Sequence, residues 1–175
     1  MTLTPVKQKF ILHWGEMGTR WGVNRTISQI HALLFIADAP LNAEDIAETL
    51  VIARSNVSNS LKELQGWGLI KVVHVLGDRR DHFDTSKDVW QLFRTIVDER
   101  KRREFDPTLT VLRECVMEQG EADDEAALQR MQDVLDFMET LTAWMKEMER
   151  LPPETLMKIL KMGAKVQKLL GRDAD

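Results

Sequence analysis

Between residues 54 and 62 the chain reads RSNVSNSLK, and between 77 and 83 it reads GDRRDHF. The first stretch gathers Arg54, Ser55, Asn56, Ser58, Asn59 and Lys62 without a carboxylate among them. The second carries Arg79 and Arg80 directly after a Gly-Asp turn, where side chains project freely. These residue types suit recognition rather than bond breaking. An asparagine amide can make paired hydrogen bonds to adenine, a guanidinium can bind guanine or phosphate, and a serine hydroxyl can contact base edges or phosphate. Arginines on a loop are drawn to a narrow minor groove by its negative potential. Each group also has a plain reading, as a solvated helix face or as local salt bridges of Arg79 and Arg80 with Asp78 and Asp81. Arg25 and Lys71 are weaker candidates for phosphate contact.

The elements around these residues decide between the two readings. Val57, Leu61 and Leu64 recur at i, i+4 and i+7, which predicts a helix over 54–66 with Ser55, Asn59, Lys62 and Gly66 turned outward and Asn56 and Ser58 beside them. Asn42 is a predicted N-cap, with Asp45 in a capping-box-like position, for a shorter helix over 43–50 that buries Ile46, Ala47 and Leu50. Leu69 to Val75 is rich in β-branched residues and predicts a strand, Gly77-Asp78 a turn, and His82 to Asp84 a return strand. Short helix, turn, helix and arginine-tipped hairpin together describe a winged helix-turn-helix.

Upstream, Thr4 and Pro5 predict an N-cap and first helical residue. Val6, Phe10, Trp14 and Met17 follow at helical spacing, and Gly18 to Gly22 should end that helix. A second helix begins at Asn24 or Thr26, buries Ile27, Ile30, Leu33, Leu34 and Ala37, and runs to about Asp38. Downstream, a linking helix is expected from 86 or 87 to 105, with Val89, Leu92, Phe93, Ile96 and Val97 as its apolar face. Asp106-Pro107 should cap a new helix over 107–119, and Gly120 with EADDE should break the chain. Helix 125–150 carries two apolar stripes: Val134, Phe137, Leu141, Trp144, Met148 and Leu151, and beside them Leu128, Met131, Leu135, Met138 and Met145. Two stripes need more than one partner helix. An intrachain bundle is the plain explanation, and a dimer interface built with helices 107–119 and 154–170 is the one favoured here. The expected fold is therefore mainly α with a small β-hairpin wing. Residues 1–105 form the winged helix-turn-helix domain (core 24–85, linking helix 86–105), and 106–175 form a C-terminal helical dimerisation bundle.

Composition agrees with this division. Of the 175 residues, 43% are hydrophobic and 30% charged, enough for a packed core. Net charge is −4, which argues against a polyanionic partner until its distribution is considered. Residues 1–105 carry 15 Lys+Arg against 13 Asp+Glu, while 106–175 carry 9 against 15. For binding DNA a local patch matters more than the total. The one cysteine, Cys115, excludes an intrachain disulfide and fits a reducing cytoplasm. Its place on an apolar helix favours an inert thiol over a redox sensor. No signal pattern opens the chain and no apolar run reaches the ~18 residues of a membrane span, so a cytoplasmic protein is expected.

The quoted segments resemble the MarR transcriptional regulators and, more narrowly, their GbsR-like branch. The resemblance rests on FILHWGEMGTRWGVNRTISQIHALLF at 10–35, the helix pair at 43–66 and GDRRDHF at 77–83. It implies a homodimer that binds a pseudo-palindromic operator, often as a repressor and often under control of a small molecule. The family's wing motif Asp-x-Arg is matched by Asp78 and Arg80. Its usual Leu-Thr at the end of the return strand is replaced by Asp84-Thr85, and the hairpin is shorter. The GbsR-like branch implies a choline or glycine betaine connection. A quaternary ammonium would want an aromatic cage, for which Trp14 and Trp21 are candidate walls and Glu16 the counter-charge. Both tryptophans can instead pack helix 1, which is the favoured reading.

His13, His31, His74 and His82 lack metal-ligand spacing, although His74 and His82 could face each other across the hairpin. No phosphate loop, nucleophile elbow or pair of catalytic acids is present. No enzyme activity, metal or cofactor is expected. The alternatives to a DNA-binding regulator are a winged-helix protein-interaction module without DNA binding, which the acidic C-terminal half permits, and a helical ligand sensor.

Overall fold

The computed structural model describes residues 2–118 and 125–170. The expected break at 120–124 lies outside the described residues. The chain separates into two compact units, 1–96 and 97–175.

The first unit begins with α1 (Pro5–Arg20), capped by the Thr4 hydroxyl with Pro5 at the first turn, and α2 (Arg25–Ile36), capped by Asn24. The Thr4 cap is the one the sequence predicts, and of the two starts it left open for the second helix, Asn24 is the cap. Gly15 and Gly18 lie inside α1, where they let α2 approach. A methyl group on Gly18 would lie 1.9 Å from the Ser28 hydroxyl oxygen, and one on Gly15 would lie 2.7 Å from Gln29 Cγ. Ile11, Ile27, Ile30, Leu33, Leu34, Ile46, Val57, Leu61 and Leu64 make one core, with Leu69, Ile70 and Phe83 of the sheet closing it.

A two-residue strand, β1 (Leu41–Asn42), leads directly into α3 (Ala43–Leu50), and α4 (Arg54–Gly66) follows after a short turn. The wing is β2 (Ile70–Val73) and β3 (His82–Thr85). The sequence suggested a two-stranded hairpin, whereas the sheet has three antiparallel strands in the order β1-β3-β2. Leu41 and Asn42 pair with Phe83 and His82, and Ile70 to Val73 pair with Thr85 to His82. Because Asn42 belongs to a paired strand, its cap differs from the predicted box. Its Oδ1 accepts from the backbone N–H groups of Glu44 and Asp45, both at 3.0 Å, but Asp45 accepts from the Asn42 side-chain amide (2.7 Å).

The hairpin joins the core through a buried polar link. The Thr85 hydroxyl donates to the Leu69 carbonyl (2.7 Å) and lies 3.3 Å from Nε2 of His31, a buried residue of α2. Just beyond, the Lys87 ammonium donates to the Leu34 carbonyl and pairs with Asp84 at 3.5 Å.

Of the apolar face expected on the linking helix, α5 (Val89–Arg100), Leu92 and Ile96 pack on the core of the first unit, while Val89 and Phe93 are exposed. In the second unit the expected cap at Asp106-Pro107 is absent. Asp106 has helical backbone angles, and one π-helical turn (Lys101–Phe105) leads without a break into α6 (Asp106–Met117). A proline inside a helix removes one hydrogen bond and crowds the preceding turn. The wider turn accommodates it, with the Asp106 N–H donating to the Lys101 carbonyl.

Next come α7 (Glu125–Glu149) and α8 (Pro153–Leu170). α6 packs on α7, where Leu109, Leu135 and Thr142 are buried and Arg113 pairs with Glu139 at 2.7 Å. The stripe with Leu135 is thus partly used inside the unit. The other stripe leaves Phe137 67% and Trp144 56% exposed, with Val134 also open, and on α8 Leu160 and Met162 are exposed too. Among the described residues no helix is long and apolar enough to cross a membrane.

Candidate nucleic-acid interface

Each side of α4 is explained by its period. Val57, Leu61 and Leu64 are buried, and Ser60 is buried with them. Ser55, Asn56, Asn59 and Lys62 are exposed, as the helical spacing predicts. Ser58, expected beside them, is half-buried and offers less of its hydroxyl to a ligand. The helix is capped by Ala53 without a side-chain hydrogen bond, so the N–H groups of its first turn have no side-chain acceptor there. Such groups favour an anion.

The turn between α3 and α4 contains Val51 at φ 55° and ψ 51°. Left-handed backbone is unfavourable for a β-branched residue. The conformation lets the Ile52 N–H reach back to the Ala47 carbonyl (3.0 Å) and turns the chain sharply into α4. The Val51 side chain is 91% exposed.

The two wing arginines differ in their surroundings. Arg80 is held by Asp78: its Nε donates to both carboxylate oxygens (3.0 and 3.1 Å), its Nη2 to Oδ2 (2.5 Å), and its backbone N–H to Oδ1 (3.0 Å). Its Nη1 donates to Glu44 of α3 at 3.0 Å. These bonds from Arg80 hold the Asp78 carboxyl well below the usual carboxylate range, and Asp78 and Glu44 hold the Arg80 guanidinium more firmly protonated. The base of the turn is further fixed by His82, whose Nδ1 lies 3.0 Å from the Arg80 carbonyl oxygen and whose Nε2 lies 3.5 Å from Asp78. Arg79, by contrast, is exposed, and among the described residues no carboxylate pairs with it.

Glu44 is the residue that sequence reasoning missed. Its Oε1 accepts from Arg54 Nη1 at 2.7 Å, and its Oε2 accepts from Arg80. A carboxylate in the first turn of α3 reads simply as helix-end stabilisation. Nothing local points to a partner 36 residues away. The contact brings the start of α4 and the wing to one point on the surface of the first unit.

The candidate effector residues do not converge in this way. Trp14 is half-buried, packed on the core with its ring centroid 5.3 Å from that of Phe10. Trp21 is the C-cap of α1 and is 57% exposed. Glu16 is exposed on a shallow surface with Pro5, Gln8, Lys9, Leu12 and His13. Two residues apart on one helix, Trp14 and Glu16 point about 160° away from each other around its axis. Within one chain Glu16 cannot face a cation held by Trp14.

Helix, turn, helix and braced hairpin on a three-helix core define a winged helix-turn-helix. Residues 21–81, the segment containing α2, α3, α4 and most of the wing, match the model of the MarR family. The structure is similar to the crystal structure of a protein described as a transcriptional regulator, with a TM-score of 0.62 and 22% identity over 79% of this chain and 94% of that one. Weaker likenesses are a mutant of MepR from S. aureus bound to an oligodeoxyribonucleotide (TM-score 0.39, 18% identity, 76% and 92% covered) and a mutant of ZitR from Lactococcus lactis in apo form (TM-score 0.34, 19% identity, 77% and 98% covered). The fold likeness rests on the first of these alone. No curated protein matches the chain.

Proposed function

We propose that this protein is a homodimeric transcriptional regulator that binds duplex DNA in a sequence-specific way, acts as a repressor and responds to a small molecule. The observation that carries the reading is the exposed polar face of Ser55, Asn56, Asn59 and Lys62, with no carboxylate in α4 before Glu63 and, on the adjoining wing, an exposed Arg79 that pairs with no carboxylate among the described residues. α4 enters the major groove, where the asparagines and Ser55 select bases and Lys62 and the helix N-terminus hold phosphate. Arg79 reaches the flanking minor groove.

The exposed Phe137, Trp144 and Leu160 are the apolar surface through which two copies associate. The dimer sets two reading heads about 34 Å apart, one turn of DNA. An effector works by favouring one spacing of the heads over another. For a choline-like effector, Trp21 offers the more open indole face, and its fluorescence on titration with choline reports binding.

Selection of duplexes from a random pool tests the reading. A DNA reader enriches a pseudo-palindromic site, and its affinity falls steeply with salt, by a log–log slope of about 0.9 for each phosphate neutralised. Failure to enrich any site, with no salt-dependent binding, would return the winged helix to the role of a protein-interaction module.

A further inference from the structure

We infer that Glu44 is a positioning residue of the reading head, which ties Arg54 at the start of α4 to Arg80 in the wing and so fixes where the wing stands relative to α4. The inference rests on the DNA-reading function proposed above.

Four charged groups form a chain on the surface: Asp78, Arg80, Glu44 and Arg54. Each Glu44 carboxylate oxygen serves one arginine, and Arg80 is bound through Nε, Nη1 and Nη2 at once. Glu44 itself has little freedom at its backbone, because its N–H is held by Asn42, a buried residue of β1. The wing is therefore referenced to a fixed point on α3 and not only to its own strands.

Isolated surface ion pairs add little to stability, but a guanidinium with three engaged nitrogens in a network is geometrically restrained. A carboxylate beside a DNA-binding surface also repels phosphate, and by charge alone its presence weakens binding. Positioning resolves this. By holding Arg80 against the hairpin and Arg54 beside α4, Glu44 fixes the angle between helix and wing before DNA arrives, which reduces the ordering needed on binding.

The two roles predict opposite signs. Glu44→Gln removes the charge at nearly constant shape, at a side chain that is 42% exposed, so the fold is retained. The measurement is fluorescence anisotropy with two probes: the duplex selected from a random pool by the wild-type protein, and a scrambled duplex of the same composition. If Glu44 positions the arginines, Glu44→Gln loses about five- to tenfold on the selected duplex and does not weaken on the scrambled one. In an Arg54→Ala, Arg80→Ala background the same change then has no further effect. Equal tightening on both duplexes would show that Glu44 is only a repelling charge and overturn the inference, as would no change on either. Absence of duplex binding by the wild-type protein overturns the function proposed above and this role with it, an outcome distinguishable from the others because it precedes any substitution.

Discussion

Acidification from pH 7 to pH 5 should destabilise the first unit through His31. This side chain is buried between α2 and the sheet, and its Nε2 can donate to the Thr85 hydroxyl, whose own hydrogen is given to the Leu69 carbonyl. A neutral ring satisfies that arrangement. Burial, reinforced by the Lys87 ammonium, lowers its pKa from 6.5 to about 4. Between those values the unfolded chain takes up a proton that the folded chain refuses, so stability is present above pH 6.5 and is lost as pH falls toward 4. The full difference corresponds to roughly 3 kcal/mol, of which about 2 kcal/mol is lost by pH 5. Urea unfolding followed by tryptophan fluorescence should show the midpoint falling by about 1 M over this range.

His31→Gln isolates the effect, because a glutamine amide can still reach Thr85 but does not titrate. Asp78 does not confuse the window. Its pKa is depressed by Arg80, so its contribution is present above its unfolded value and is lost only below about pH 4. Glu149 of the second unit has the opposite sign: burial and a hydrogen bond with Asp98 raise its pKa, so acidification relieves it. If the wild-type midpoint is the same at pH 7 and pH 5, or if His31→Gln falls as far as the wild type, the assignment of a buried neutral His31 is wrong.

Four further outcomes are expected. Arg79→Ala should weaken binding to every duplex and reduce the salt slope by about 1, while Arg80→Ala should act mainly by loosening the wing, visible as faster amide exchange across β2 and β3; identical behaviour of the two variants would remove the distinction. Gly18→Ala should destabilise by about 1–3 kcal/mol, since the added methyl meets Ser28 at 1.9 Å, and thermal unfolding measures this directly. Val51→Gly should stabilise by roughly 0.5–1 kcal/mol, the left-handed penalty less the entropy of glycine, and a loss of stability would show that the turn is not strained. Phe137→Glu should shift the protein toward monomer in sedimentation velocity without changing its helical circular dichroism, because the ring is exposed in the single chain.

Much of this molecule is set by short-range order. The caps at Thr4, Asn24 and Asn42, the buried stripe of Val57, Leu61 and Leu64, and the outward face of Ser55, Asn59 and Lys62 each depend on neighbours within about four residues, so the linear sequence determines them. What the tertiary structure decided lies further apart. Strand β1 exists because β3 returns beside it, and Ser58, expected beside the outward face, is half-buried once α4 docks. Pro107 stands in the first turn of α6, as its sequence suggests, but a π-helical turn and not a side-chain cap leads into that helix. The close contact of Gly15 and Gly18 with α2 is likewise tertiary, although α1 ends at Arg20, within the 18–22 stretch where the sequence places its end. Above all, the arginine pair is symmetrical in the sequence and unequal in the fold. Arg80 is bound, and Arg79 has no carboxylate partner among the described residues, because the hairpin carries Arg80 to Glu44. A carboxylate pairs with whichever cation the packing of separate elements brings within about 4 Å, and no local pattern encodes that distance.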